Sequence, residues 1–263
     1  MLTLNVGALP WARTLAPVNV RAGELGARLE DSDVDVACFQ EVWTRRALTV
    51  LRAGLPSFRH LACRAGPLGP AGGLAVFSRL PLGDGRYASF RGLVPPAGGT
   101  GFRLARAVNS ALQGMLTVAV AGVRVTTTHL TANRDGDWSS DNRHYRFQRA
   151  QLARLHAMLD LAAGPQVVVG DFNIASDGPL YPLVAGGWHD PFGAGDPVTF
   201  HPHFLPAGAT GKRIDYILVR GATVTDPQLV FGEPLPSGLY LSDHIGLSVR
   251  VAGPGVEPGG PPL

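Results

Sequence analysis

The sequence predicts an α/β sandwich, mixed β-sheets with helices on their outer faces, and three observations carry that expectation. Apolar or alternating segments recur along the 263 residues: LTLNV, DVACFQ, GGLAVFS, MLTVAV, VRVTTTHL, QVVVG, IDYILV and GLSVRV. Each is about 4–8 residues long, rich in Val, Ile, Thr or Phe, and bounded by Gly, Pro or Asp, as strands are. Second, MLTVAV and VRVTTTHL are separated only by Ala121 and Gly122. So short a connection makes a hairpin, which excludes an all-parallel sheet. Third, helical patterns lie between strands. Arg21–Glu30 precedes DVACFQ, and Asn142–Leu161 places Leu152, Leu155 and Leu159 on one face.

Composition supports one domain over residues 1–252, followed by a disordered Pro/Gly-rich tail, GPGVEPGGPPL, at 253–263. An apolar fraction of 45% with 16% charged residues suits a buried core. Gly83–Gly101 and Phe192–Gly211 read as loose surface segments, and there are no internal repeats. No apolar run approaches the roughly 18–20 residues that a membrane span requires. The start, MLTLNVGALP, lacks a basic segment leading into an apolar run and cleavage site. A cytoplasmic protein is expected, or a secreted one already cut to its mature start. Cys38 and Cys63 make no disulfide framework, and Cys38, inside VDVACF, reads as a reduced, buried small hydrophobe. The net charge of +3 and pI near 9.2 hint at anionic partners. Nearly all the positive charge is arginine, since Lys212 is the only lysine.

The strands end in unexpected polarity. LTLN ends on Asn5, DVACFQE on Glu41, VRVTTTH on His129, and QVVVGDFN on Asp171 and Asn173. KRID places Asp215 at the start of an apolar strand, and LYLSDH puts Asp243 and His244 just before GLSVRV. One acid at a strand end is ordinarily a turn former or cap. Six such ends, all carrying acids, amides or histidines, point instead to a site held by a rigid scaffold. Hard oxygen donors without cysteine suit Mg²⁺ or Mn²⁺. Histidine beside carboxylates suits proton transfer near neutral pH. Together they are equipment for attack of water on a phosphodiester.

At these residues the pattern becomes familiar. QE at 40–41, GGLAVFSRLPL at 72–82, THL at 128–130, GDFN at 170–173, RIDYIL at 213–218 and SDH at 242–244, in this order, resemble the endonuclease/exonuclease/phosphatase superfamily. The resemblance implies a four-layer α/β sandwich, two facing mixed sheets flanked by helices, with a Mg²⁺-dependent phosphoesterase site between their strand ends. It implies that Glu41 is the principal metal ligand, supported by Asn5, with Asp243 in the outer coordination or binding directly. His244 would be the general base, oriented by Asp215. Asp171 would position or activate the attacking water, or bind a second metal. Asn173 and His129 would contact the scissile phosphate.

Within the superfamily, QEVW at 40–43, the long insert after THL, Asp190–Pro191, the pair Thr199–Phe200 and KRIDYIL are most similar to the neutral sphingomyelinase branch. That branch usually carries a Lys-Gly pair where this chain has Gln113 and Gly114, a cation that Arg103 or Arg106 would have to replace. A sphingomyelinase-like lipid head-group hydrolase, with possible peripheral membrane contact and a monomeric state, is therefore the expectation. The alternative is a nuclease on DNA or RNA, and a non-catalytic binding module stands third. Arg143, His144, Arg146, Arg149 and Arg154 make the long helix basic, either a solvated face or a phosphate-facing patch. Trp138 reads as loop packing or a stacking platform, and FHPHFLP at 200–206 as a packed or substrate-lining loop rather than a zinc site. No Gly-rich nucleotide fingerprint is present.

Overall fold

A computed structural model describes residues 1–7, 15–93, 112–133 and 136–252. The order of elements is β1 (Leu2–Asn5), α1 (Val18–Glu30), β2 (Val36–Gln40), α2 (Arg45–Gly54), β3 (His60–Ala62), β4 (Ala75–Ser78), β5 (Arg86–Ser89), β6 (Gly114–Val120), β7 (Val123–His129), α3 (Tyr145–Asp160), β8 (Gln166–Asp171), α4 (Tyr181–Ala185), β9 (Asp215–Arg220), β10 (Thr223–Val230) and β11 (Gly246–Ala252). Two sheets form, in the orders β10-β11-β1-β2-β4-β3 and β5-β6-β7-β8-β9. Both are mixed. The β1–β2 and β7–β8 pairs are parallel, each bridged by a helical crossover, and the other pairs are antiparallel.

Alternation along each strand builds the layers. In β2, Val36 and Cys38 face the second sheet, while Ala37 and Phe39 pack under α1 and α2 with Leu25, Leu29 and Leu51. In β8, Val167 and Val169 meet that inter-sheet core, and Val168 turns the other way to α3, where Leu152, Leu155 and Leu159 cover it. Both faces of the central strands are thus buried, so QVVVG reads as a continuous apolar run. This is the expected four-layer sandwich. Burial pushes the Cys38 thiol up to about 12, as a buried hydrophobe requires.

The β6–β7 hairpin turns at Ala121 (φ 48°) and Gly122 (φ 77°), the left-handed pair of a two-residue turn whose twist matches its strands. The two expected helices are present with slightly different ends, Val18–Glu30 and Tyr145–Asp160. One expectation needs correction: Gly83–Gly101 is not loose throughout, because Arg86–Ser89 forms edge strand β5 on β6. Strands β3 and β10 also escaped the sequence reading. The first is a three-residue edge strand, and β10 carries Pro227 and a bulge between Thr225 and Gln228 on an exposed edge, so neither alternates. The tail at 253–263 lies outside the described residues, as do Arg103 and Arg106.

Helices α1 and α2 meet at glycine. A Cβ on Gly26 would collide with the Gly54 carbonyl oxygen, so the helices touch backbone to backbone. Gly26→Ala should force them apart and lower stability by about 1–3 kcal/mol, read in urea denaturation.

Candidate active site

The same period-two geometry that builds the core delivers the site. The parity that faces Val167 and Val169 toward the first sheet carries on to Asp171. His129 is in register with Asp171 across β7–β8, and Asp171 with Asp215 across β8–β9. In the facing sheet, Leu2 and Leu4 point outward to α1, which turns Thr3 and Asn5 inward. Asn5 is in register with Gln40, and Glu41 follows directly. Beneath the site Gln40 ties the sheets together, donating to Thr127 Oγ1 at 2.9 Å and Thr3 Oγ1 at 3.1 Å.

These residues converge. His244 Nδ1 bonds Asp215 Oδ2 at 2.9 Å. The other ring nitrogen, Nε2, lies 3.5 Å from Asn5 Nδ2 and 3.7 Å from Asp171 Oδ2. Asn5 Nδ2 donates to Asp171 Oδ2 at 3.0 Å, and His129 Nε2 sits 3.5 Å from the same oxygen and 4.0 Å from Glu41 Oε1. Asp171 Oδ1 accepts the backbone N–H of Asn173 at 2.8 Å, and Asn173 Nδ2 donates to the Leu130 carbonyl at 3.1 Å. Asp243 stands at the side of this group: a Cβ on Gly7 would lie 2.9 Å from its Oδ1. Glu41 (φ 62°) and Asn173 (φ 52°) both hold left-handed backbone, a strain of roughly 1–3 kcal/mol each that non-glycine residues keep where surroundings impose it.

The electrostatics follow from burial. Burial raises the Asp171 carboxyl, and the neighbouring Asp215 charge raises it further, to about 6. For His244, burial opposes the charged form, but Asp215 and Asp171 outweigh it and hold the ring well above its ordinary value. Both shifts favour a proton within the Asp171–Asp215–His244 group. Asp171, Asp215 and His244 form a buried trio whose ligating atoms lie within 4.8 Å of one another. Glu41, whose side chain is 18% exposed, accepts no hydrogen bond from a described residue, and Asp243 receives only a long 3.4 Å contact from Ser242 Oγ. Open carboxylate oxygens on Glu41 and Asp243 beside a surplus of buried acid fit a hard divalent cation; those two residues would hold it, supported by Asn5, whose Oδ1 also accepts the Gly7 N–H at 3.0 Å.

Asp171 supplies a testable consequence. Burial and Asp215 push its carboxyl up from the ordinary 3.8 to about 6, so its protonation favours the fold, a gain fully present below 3.8 and lost as pH rises through 6. At pH 7–8 the fold carries a buried carboxylate at a cost. Asp171→Asn should raise the Tm of the EDTA-treated protein there, by about 2–4 °C for each kcal/mol relieved, with the difference shrinking below about pH 4.

Further residues support the site, among them Thr199 and Phe200, which the sequence resemblance already included. Thr199 Oγ1 accepts the backbone N–H groups of Ile214 and Asp215, and Phe200 packs edge-on against His244 at 5.2 Å between ring centres. The Phe192–Gly211 loop is accordingly not only a surface loop, since its Thr199–Phe200 segment straps the strand ends of the candidate site. Arg213 pairs with Asp190 and Asp196 at 2.7 Å each beneath that strap. Gln113 is buried: its Nε2 donates to the Leu130 carbonyl at 3.0 Å and its Oε1 accepts from Thr131 Oγ1 at 2.8 Å. With Gln148, which donates to the Asn173 carbonyl at 2.7 Å, it fixes the loops behind Asn173. Here that position serves packing rather than a substrate-facing cation. On α3, Arg146, Arg149 and Arg154 are exposed with Arg143 just before them, but His144 is buried and leaves the basic face. Trp138 is half-buried in a small pocket with Ile174 and Leu180. His201 spends both ring nitrogens on backbone, 3.0 Å from the Gly232 carbonyl and 3.1 Å from the His203 N–H.

Facing mixed sheets whose strand ends gather a His–Asp pair, a further buried aspartate and open carboxylates define a protein of the four-layer α/β-sandwich class with a candidate site. The chain matches the Endonuclease/Exonuclease/phosphatase family over residues 2–244, and it belongs to that family. Members of the family are generally hydrolases acting on phosphodiester bonds. Among solved structures it is similar to D. rerio TDP2 complexed with a single-strand DNA product (TM-score 0.72, 17% identity, covering 95% of this chain and 97% of that one). It is also similar to beta toxin from Staphylococcus aureus (0.67, 15%, 95% and 98%) and sphingomyelinase C from Streptomyces griseocarneus (0.64, 17%, 96% and 97%). At such identities the likeness shows the fold alone. No curated protein matches the chain significantly. Among the described residues no helix is long and apolar enough to cross a membrane.

Proposed function

We propose that this protein is a divalent-metal-dependent phosphodiesterase, with residues 1–252 as its catalytic domain. The observation that carries the reading is the His244–Asp215 pair at 2.9 Å, with His244 Nε2 turned to Asp171 and Asn5. A bound Mg²⁺, or Mn²⁺, would polarise the phosphoryl oxygens and offset their charge. Asp215 holds the imidazole in one orientation, so that neutral Nε2 takes the proton from an attacking water. Asp171, already engaged by Asn5 and the Asn173 N–H, orients that water. Asn173 keeps one amide hydrogen beyond its bond to Leu130, and with His129 it contacts the non-bridging oxygens as their charge grows.

For the substrate we favour a lipid head group. The strap beside the site bears the half-buried Phe204 and Leu205, whose neighbour His201 donates its N–H to the Asp243 carbonyl at 2.8 Å. Tyr240 packs against His201 and Phe204 at 4.4 and 5.6 Å, and Leu239 next to it is exposed. An apolar rim at the mouth of a charged site suits an amphipathic substrate at an interface. The exposed arginines of α3 favour nucleic acid as the second reading. Purified protein should be assayed with Mg²⁺ and with EDTA against sphingomyelin in mixed micelles and plasmid DNA, with His244→Ala as the blank. Metal- and His244-dependent phosphocholine release supports the lipid reading. DNA cleavage alone moves the substrate to nucleic acid, and inactivity on both points to another phosphoester.

A further inference from the structure

Arg21 is out of place for a surface charge. It lies on α1 among Ala22, Leu25, Gly26 and Leu29, on the buried face, and is only 6% exposed. Among the described residues it forms no ion pair. Its guanidinium is given to backbone carbonyls instead: Nε to Ala16 at 2.7 Å, Nη1 to Leu241 at 3.0 Å and to Val6, and Nη2 to Gly7 at 3.2 Å. A buried charge satisfied only by neutral dipoles is costly, and an apolar residue would pack against Ala22 and Leu25 without that cost. The arrangement therefore needs a reason other than stability.

The carbonyls supply one. Val6 and Gly7 directly follow Asn5, and Leu241 directly precedes Ser242, Asp243 and His244. One rigid, planar fork joins the two segments that flank the candidate cation site from opposite ends of the chain. Two further ties act at the same seam. Ser242 Oγ donates to the Asn5 carbonyl, and Gly7, at φ 51°, lets the Asp243 carboxylate lie flush on its backbone, where any Cβ would stand 2.9 Å from Oδ1. Asp243 and Glu41 are the acids whose charge Arg21 feels.

We propose that Arg21 is the positioning residue of the cation site: by clamping the Gly7 and Leu241 carbonyls it fixes the Asp243 carboxylate relative to Asn5 and Glu41 before any metal arrives. The proposal rests on the metal-dependent reading above. It also sets two effects of opposite sign against each other. A fixed positive charge near the acids repels a divalent cation, whereas a pre-set carboxylate saves the cost of ordering it on binding. Positioning is assigned as the larger effect.

The test is Mn²⁺ binding to the metal-free protein, by calorimetry or by the loss of the free-ion paramagnetic resonance signal, with Tm recorded alongside. Arg21→Gln removes the charge and Arg21→Lys keeps it without the fork. Both are expected to weaken Mn²⁺ binding, by the roughly 10–100-fold typical of residues that orient metal ligands. Binding by Arg21→Gln as tight as wild type or tighter overturns the proposal, and so does a Tm loss with Mn²⁺ affinity unchanged, the signature of a brace. Should both arginine variants fail to fold, Gly7→Ala displaces the Asp243 carboxylate with Arg21 intact. It should weaken Mn²⁺ binding to a similar extent, and undisturbed binding there is equally fatal. Wild-type protein that takes up no Mn²⁺ would remove the metal-dependent reading and this one with it. Wild-type binding unaffected by any of the three substitutions removes this one alone.

Discussion

His244→Ala should leave a folded, metal-binding protein whose kcat is lower by about 10²–10⁴-fold, the usual contribution of a positioned general base. The ring makes its strongest hydrogen bond to Asp215, and the nitrogen on its other side is the one directed at the site. Its pH behaviour distinguishes this base from other roles. Burial works against the imidazolium, but Asp215 and Asp171 together hold its pKa well above 6.5 in the metal-free protein. A base must be neutral to act, so the ascending limb of kcat/KM against pH should lie above 6.5 at low metal. Rising Mg²⁺ should shift it downward, because a divalent cation beside the same acids expels the proton they attract. Asp215→Asn removes the partner that raises the pKa most and the oxygen that fixes the ring. Its limb should move to lower pH while the plateau rate falls. The stability sign is set by the same linkage. A histidine raised on folding adds stability below its unfolded value of 6.5, and that contribution fades as pH climbs through the raised one. Asp215→Asn should therefore cost more stability at pH 6 than at pH 9. A limb that ignores both Mg²⁺ and Asp215→Asn would remove His244 from the base role.

Glu41→Gln should weaken Mg²⁺ or Mn²⁺ binding by at least about 10²-fold, more than residues that merely orient ligands cost, and activity at limiting metal should fall in parallel. Glutamine matches the side chain in size and leaves the left-handed backbone at φ 62° under the same strain, so the change isolates the charge. That carboxylate accepts no hydrogen bond from a described residue and faces His129 at 4.0 Å. With the protein free of metal, losing it should leave stability unchanged or slightly higher, since an uncompensated anion near Asp171 is removed. Titration calorimetry reads the first effect and thermal denaturation the second. An unchanged metal affinity would shift the principal ligand role to Asp243 or to the buried trio of Asp171, Asp215 and His244.

The candidate site was legible to an unusual degree because its chemistry sits at strand ends. QVVVGD announces its own ending: three valines bury both faces, and the next inward position can only be Asp171. Once strands are read with alternating faces, Asn5, His129 and Asp215 fall at matching ends, and motif order supplies the rest. Arg21 was legible in principle, as a lone charge on the buried stripe of α1, yet it reads as an ordinary helix arginine unless the stripe is drawn first. Strand β10 was not legible, because an exposed edge with Pro227 and a bulge lacks the alternation that marks a strand.

Local periodicity was therefore enough to give the class of fold and the residues that crown it, because burial of alternate or helical faces is written into neighbouring positions. Which groups touch belongs to the folded molecule alone. The row His129–Asp171–Asp215 depends on strand register, the 2.9 Å bond of His244 to Asp215 on bringing the segment before β11 of one sheet to the start of β9 in the other, and the Arg21 clamp on carbonyls from segments 234 residues apart, Gly7 and Leu241. Backbone carbonyls carry no side-chain signature, and hydrogen bonds across sheets depend on the packing of everything between them. Such contacts exist only once the two sheets have closed on their shared core.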